Sequence, residues 1–196
     1  MKTLITLFAA LCCSLALPSP AHGASVLPLY LEEMIDTSAI AFEGRCIGNR
    51  TERDAATGLV VTYTRFEVRD VLKGAAAATH EIKQIGGSLP GEGLEYRVKG
   101  IPAFNVGEDY VVFLAGVSSV GFSSPVGLAQ GRFGIQAGAA GRRVSNGRDF
   151  KDMTARITQR LPATAKARLL QVPGPVRELD LDDFKRTVRA HIEARR

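Results

Sequence analysis

Residues 58–74 read GLVVTYTRFEVRDVLKG, and this stretch decides the fold. Charged side chains such as Arg65 and Glu67 alternate with apolar or β-branched ones along its length. A period of two is typical of a β-strand that buries one face, and β-branched and aromatic residues suit a pleated surface. The positions on the buried side are Val60, Thr62, Thr64, Phe66 and Val68.

This strand is too long to stay straight in a small domain. Residues 59–71 would extend roughly 40 Å at about 3.3 Å per residue. A bend or a β-bulge accommodates such a length where one sheet curls into a barrel. We therefore predict a mainly β chain: a small antiparallel OB-like β-barrel, with an N-terminal helix and C-terminal helices packed outside it.

The segment 38–50 (SAIAFEGRCIGNR) predicts the strand that precedes this one. Its alternation puts Phe42 and Cys46 on one side of the strand, and Glu43 and Arg45 on the other. The two glycines within the segment indicate a bend or a bulge.

Further strands are predicted after residue 74. The run 110–115 (YVVFLA) is continuously apolar, which predicts a strand buried on both faces. The other predicted strands are 80–85, 94–98, 126–136 and 142–145, and the polar or glycine-rich segments 51–57 and 86–93 are predicted loops.

Helical spacing appears at both ends of the mature chain. Apolar residues recur at three- and four-residue intervals in 25–36 and again after Asp180, which can cap the last helix. The apolar stripe of that helix is expected to dock on its own domain, with a membrane surface as the alternative. Segments 150–161 and 163–171 have helix-compatible composition.

The first 23 residues have the composition of a secretory signal peptide. Lys2 precedes an apolar run, and small residues lead to a predicted cleavage site near Ala24. The run is too short to span a bilayer; a retained interfacial anchor is the alternative. We expect a periplasmic or secreted protein with no membrane span, comprising a barrel domain over 24–148 and a helical extension over 149–196.

Cleavage there removes Cys12 and Cys13 and leaves Cys46 without a disulfide partner in the chain. Cys46 is then either a small buried hydrophobe or a reactive thiol. The apolar strand around it favours the first role.

No catalytic, cofactor or metal motif is recognisable in the mature chain. His80 and His191 have no metal-binding spacing with Cys46, and a Cys46–His80 nucleophilic pair would require the fold to bring them together. The loop 86–93 lacks the Lys-Ser/Thr of a nucleotide cradle. Residues 49–51 match an N-glycosylation sequon and are expected in a surface loop.

The segment 132–168 contains nine basic and only two acidic residues. Solvated helices explain such a charge excess, and a binding surface for an acidic polymer or a partner protein is the functional alternative. Nucleic acid is not expected, because aromatic residues that could stack on bases are scarce there. The candidate partner-binding residues are Arg132, Arg142, Arg143 and Arg148.

The motifs AIAFEGRCIG, TYTRFEVRDVLKG, IKQIGG and GEDYVVFLAG occur in this order between Ala39 and Ala115. This pattern resembles the OB-like barrel of netrin modules and tissue inhibitors of metalloproteinases. It is also similar to bacterial exported proteins that share FEVRDVLKG and GEDYVVFL. In the animal inhibitors a cysteine at the mature N-terminus chelates the zinc of the protease. The mature chain here begins near Ala24 without one, so that mechanism transfers to no residue.

We therefore expect an exported, non-enzymatic binding or interaction module of the bacterial cell envelope. The resemblance implies the alternative, an inhibitor or accessory protein of an exported protease. An enzyme that uses Cys46 is the third class.

Overall fold

The computed structural model describes residues 26–139 and 141–196, which contain a large antiparallel sheet. The predicted leader, with Cys12 and Cys13, lies outside these residues. The strands are β1 (Ile40–Arg53), β2 (Val60–Lys73), β3 (Thr79–Ile85), β4 (Gly87–Leu89), β5 (Leu94–Tyr96), β6 (Asp109–Leu114), β7 (Arg132–Gly138), β8 (Gly141–Ser145) and β9 (Leu179–Asp180).

Seven strands pair in the order β3-β2-β1-β6-β7-β8-β9, while β4 and β5 form a separate two-stranded sheet. The prediction of a mainly β chain is confirmed. In the described part of the chain, β3 pairs only with β2 and β9 only with β8. A closed barrel is thus not found there, and the OB-like barrel stays a prediction.

The helices are α1 (Leu31–Thr37), α2 (Phe150–Met153), α3 (Ala163–Gln171) and α4 (Leu181–Glu193), with 3-10 turns at Pro90–Glu92, Leu128–Gly131 and Ala155–Arg160. Of the helices within the described ranges, none has the length and hydrophobicity needed to cross a membrane. The predicted cap of α4 is confirmed, because the Asp180 carboxylate accepts from the backbone N–H groups of Asp182 and Asp183.

Several predicted boundaries were wrong. Helix α1 begins at Leu31, where the Glu33 carboxylate accepts from the Tyr30 N–H (2.8 Å) and caps the first turn. The predicted strand 126–136 starts only at residue 132, because positive φ angles at Gly127 and Leu128 turn the chain. Strand β1 continues through part of the predicted loop 51–57, since its pairing with β2 extends to Arg53.

Strands β1 and β2 pair along their whole length, and bulges bend the pair as predicted. The extra residues at the bulges, which have no partner in the β1–β2 register, are Ile47 in β1 and Arg69 and Leu72 in β2. Because side chains alternate with a period of two, each extra residue exchanges the faces to which later residues point.

The sheet is buried on both faces at its centre, as the apolar run of β6 predicts. We call one face the helix side, where α1 and α4 cover a cluster that includes Leu31, Met34, Val111, Phe113, Phe133, Phe150, Phe184 and Val188. The other face is the aromatic side, whose cluster is Phe42, Cys46, Phe66, Ile82, Phe104, Tyr110, Val112 and Leu114. The apolar stripe of α4 thus docks on its own domain, as expected.

Glu43 lies opposite Phe42, as the alternation predicts, but α4 covers that face and buries it. Lys185 Nζ donates to Glu43 Oε2 (2.7 Å) and to Asp70 Oδ2 (2.8 Å). Arg142 Nη1 donates to Glu43 Oε1 (2.5 Å). The buried carboxylate is therefore paired with two cations.

Candidate functional site

A cleft of about 650 Å³ opens on the aromatic side, beyond the edge of the aromatic cluster. Its floor consists of uncharged polar side chains on three adjacent strands: Asn49 and Thr51 on β1, Thr62 and Thr64 on β2, and Gln84 on β3. The hairpin of β4 and β5 and the segment 97–104 form its walls. Its volume falls within the range of about 300–1,000 Å³ that small-molecule sites span.

The bulge at Ile47 brings two of the five floor residues to this face. Before it, Phe42 and Cys46 belong to the aromatic side. Beyond it, Asn49 pairs with Thr64 and Thr51 pairs with Thr62. Directly paired residues share a face, so these odd-numbered residues of β1 face the cleft. Asn49 is exposed, as expected, but it lies in a strand and not in the predicted loop.

The hydroxyl and amide groups of β1 and β2 are hydrogen-bonded within the protein. Thr64 Oγ1 donates to Asn49 Oδ1 (2.8 Å), and Asn49 Nδ2 donates to the Phe104 carbonyl (2.7 Å). Thr62 Oγ1 donates to the Gly86 carbonyl (2.7 Å) and lies 3.1 Å from Thr51 Oγ1. These bonds hold the floor and the walls in one arrangement.

Gln84 is different. It is 3% exposed, and its Nε2 has no hydrogen-bond partner among the described residues. Gln84 pairs with Thr62 in the ladder between β2 and β3, so its side chain belongs to the cleft floor. A buried N–H without a partner costs about 1–3 kcal/mol. A buried group left unsatisfied in this way calls for an explanation, and a ligand that completes the site is one.

Gly86 and Gly87 let the hairpin fold down over the sheet. Both have positive φ, and a Cβ at Gly87 would lie 2.4 Å from Thr62 Oγ1. Only glycine tolerates both the angle and this close approach. The segment 86–93 was predicted as a loop, but it contains β4, whose pairing with β5 forms a wall of the cleft.

Arg132 supports the opposite wall. Its Nη1 donates to the Ala103 carbonyl (2.6 Å), and its guanidinium lies 5.5 Å from the ring centre of Tyr110. Arg132, a candidate partner-binding residue, thus contacts residues of the wall but does not line the cleft.

Tyr110 fixes the end of that wall. Its hydroxyl donates to Glu108 Oε2 (2.6 Å) and accepts from the Asn105 N–H (2.9 Å). Burial, together with the hydrogen bond to Glu108, raises the pKa of Tyr110 to about 12. Its ring packs edge-on against Phe104, at 5.1 Å between centroids.

The other three candidate arginines lie apart from the cleft. Arg142 is paired with Glu43, as described above. Arg148 Nη1 donates to the Leu29 carbonyl (2.6 Å) and to Gln130 Oε1 (2.7 Å), and burial lowers the pKa of this guanidinium. Arg143 lines a second groove of about 360 Å³, beside Arg168, Arg186, Asp180 and Asp183. The four arginines therefore do not form one cluster.

Cys46 is a free, buried thiol in the aromatic cluster. Burial raises the pKa of Cys46 and lowers that of His80, so both favour their neutral forms. The Cys46 sulfur lies 3.9 Å from Asn49 Oδ1. Among the described residues, no group of three or more His, Cys, Asp and Glu side chains is placed to hold a metal ion.

No protein-family model matches this chain, and a search of curated proteins finds no significant match.

Sequence reasoning missed the cleft, although two signals were present. Threonines occupy alternate positions, 62 and 64, at the start of the organising strand, where a fully dry core would have larger apolar residues. The Gly86-Gly87 pair allows a close approach of backbone to side chains. Without the bulge at Ile47, however, Asn49 and Thr51 would be assigned to the wrong face.

Proposed function

We propose that this protein is an exported, non-enzymatic binding module whose ligand is a small uncharged molecule held in the cleft. The observation that carries the proposal is the buried Gln84 amide, whose Nε2 has no partner among the described residues and lies beside a floor of satisfied hydroxyl and amide groups. A ligand that accepts a hydrogen bond from Gln84 would recover the cost of burying that N–H.

The chemistry of the lining supports an uncharged ligand. The charged residues that line the cleft, Glu95, Arg97 and Lys99, are all exposed. Arg97 Nε donates to Glu95 Oε1 (2.6 Å), which offsets two of these charges. A charged ligand on the floor would lose hydration without meeting a buried counter-charge.

Three further parts of the proposal rest on the sequence, one of them together with the strand pairing. The leader supports export to the periplasm or beyond. The motif order between Ala39 and Ala115 and the bulged β1–β2 pair support an OB-like relationship, in which the cleft would be the mouth of an open barrel. The inhibitor role follows from that relationship alone and is the second candidate.

A fragment screen by ¹H–¹⁵N NMR tests the cleft. Neutral, anionic and cationic fragments should be added separately to wild type, to Gln84→Met and to Gln136→Met. The last is the matched control, because Gln136 is an exposed glutamine on β7. We expect neutral fragments to shift the Gln84 side-chain amide and its neighbours in wild type and the control, and to bind Gln84→Met more weakly.

Two outcomes would contradict the proposal. One is a set of fragments that binds only outside the cleft; the other is equal binding by Gln84→Met and wild type. Inhibition of exported metalloproteases by the purified protein, unaffected by Gln84→Met, would favour the inhibitor instead.

A further inference from the structure

The hydrogen-bonding groups on the cleft floor indicate which class of neutral molecule fits it. The floor side chains other than Gln84 are hydroxyls and one amide. Hydroxyl groups donate and accept at once, and an amide has both a donor and an acceptor end. Such a surface suits a ligand whose own groups also do both, which is the property of sugar hydroxyls.

Gln84 specifies which hydrogen-bonding group the ligand must have at one position. Its Nε2 requires an acceptor on the ligand, and a sugar hydroxyl, a ring oxygen or an acetamido carbonyl would serve. Nε2 has less than 1 Å² of accessible surface, so the Gln84 amide must turn toward the cleft to make this bond, which is then shielded from water.

Apolar surface lies beside the polar floor. Ile101 and the aromatic residues Tyr96 and Phe104 all line the cleft, and Tyr96 is 43% exposed. Pyranose rings have hydroxyls at their edges and a face of C–H groups, so they need polar and apolar contacts on adjacent surfaces. A ring stacked on Tyr96 could direct its hydroxyls toward the floor.

A neutral peptide is the main competitor, and the strand pairing argues against it. Peptides commonly bind by adding a strand to a free sheet edge. The floor here is a face of β1, β2 and β3, so a ligand that lies on it meets side chains, while the second edge of β3, which pairs with no strand of the described residues, lies at the side of the floor. On the floor itself, hydrogen bonds come from side chains, which suits a small ring better than an extended backbone.

From these observations we propose that the cleft binds a neutral saccharide. Gln84 donates to an oxygen of the sugar, and Tyr96 covers its C–H face. The proposal rests on the cleft being the binding site, as argued above, and it narrows the ligand to one class.

The test uses the mature protein and four probes: maltotriose, cellobiose, N,N′-diacetylchitobiose and the capped peptide acetyl-trialanine amide. NMR titration should show that at least one saccharide shifts the Gln84 side-chain amide in a saturable way, while the peptide does not. Gln84→Met should weaken this binding about fivefold to tenfold, as loss of one neutral hydrogen bond would. Gln136→Met should bind as wild type does.

Tyr96→Ala is the second variant, chosen because an exposed side chain can be removed without loss of the fold. It should also weaken saccharide binding severalfold. Binding of the peptide but of no saccharide in the cleft would overturn the saccharide proposal and leave the binding module intact. Failure of every probe would also overturn it, whereas the fragment screen decides the binding module separately.

Discussion

Each face of the sheet has a cluster of aromatic side chains, but the surroundings of the two clusters differ. On the helix side, the rings of Phe113 and Phe133 on the sheet pack together with those of Phe150 on α2 and Phe184 on α4. On the aromatic side, the rings of Phe42, Phe66, Phe104 and Tyr110 form a chain of edge-on contacts. This second cluster ends at the polar floor of the cleft.

The difference lies in what covers each face. Helices close the helix side, and its buried carboxylate Glu43 is paired with Lys185 and Arg142. The aromatic side is covered by the short hairpin and the segment 97–104, and within the part of the chain that the structure describes its buried Gln84 has no partner for Nε2. One face therefore contributes chiefly stability, while the other is available for binding.

The largest loss of stability is expected for Phe184→Ala. The Phe184 ring contacts three other rings at centroid distances of 4.9–6.2 Å and is fully buried. Its removal should cost about 4–5 kcal/mol, the upper part of the range for a buried phenylalanine. Urea denaturation measures this cost. Leu170→Ala, at a residue 85% exposed on α3, should change the free energy of unfolding by less than about 0.5 kcal/mol.

Phe66→Ala should cost slightly less, about 3–4 kcal/mol, because the cavity left behind adjoins the cleft and can relax into it. Phe66 packs against Phe42 and Phe104, at 5.5 and 4.9 Å between centroids. Arg65→Ala, on the exposed side of β2, is the matched control and should stay within about 0.5 kcal/mol. Equal urea midpoints for the two variants would contradict the assigned faces.

Lys185→Met tests how much the ion pairs of Lys185 on the helix side contribute to the free energy of unfolding. Its Nζ is close to both Glu43 and Asp70, and the side chain is only 11% exposed. The substitution keeps the apolar stem and removes the charge, so we expect a loss of about 2–3 kcal/mol, reduced by the remaining partners Arg142 and Arg189.

Arg142→Met is the comparison for this variant. It removes the other cation at Glu43 but is 45% exposed, and solvent screening should limit its effect to about 1 kcal/mol. If Arg142→Met proves the more damaging in urea denaturation, the more exposed pair is the one that supports Glu43.

The last effect depends on pH and belongs to the aromatic side. The folded-state pKa of Tyr110, about 12, lies above the value of about 10 expected in the unfolded chain. Its contribution is fully present below pH 10 and is lost as the pH rises toward 12, since the unfolded chain loses the proton first. At pH 11 the loss should be about 1.4 kcal/mol.

Urea denaturation at pH 9 and pH 11 should therefore show a larger decrease for wild type than for Tyr110→Phe, which has no hydroxyl at this position. Tyr96→Phe removes an exposed hydroxyl and should follow wild type. Parallel decreases in wild type and Tyr110→Phe would show that the Tyr110 hydroxyl has no such role.

The sequence by itself determined the elements whose periodicity is uninterrupted. The alternation around Phe66, the apolar run of β6 and the stripe and cap of α4 each predict their observed burial, because local spacing decides which side chains share a face. The need for bulges was also predictable, from the length of β2 and the glycines of β1.

Only the tertiary structure decided where the bulges lie and therefore which residues form the cleft. A bulge at Ile47 exchanges the faces of β1. Asn49 and Thr51 therefore face the cleft, whereas uninterrupted alternation would place them on the opposite face. Docking of α4 on the opposite face buries Glu43, which looks exposed in the sequence. Both outcomes depend on contacts between residues distant along the chain. The pattern of a few neighbouring residues does not contain that information.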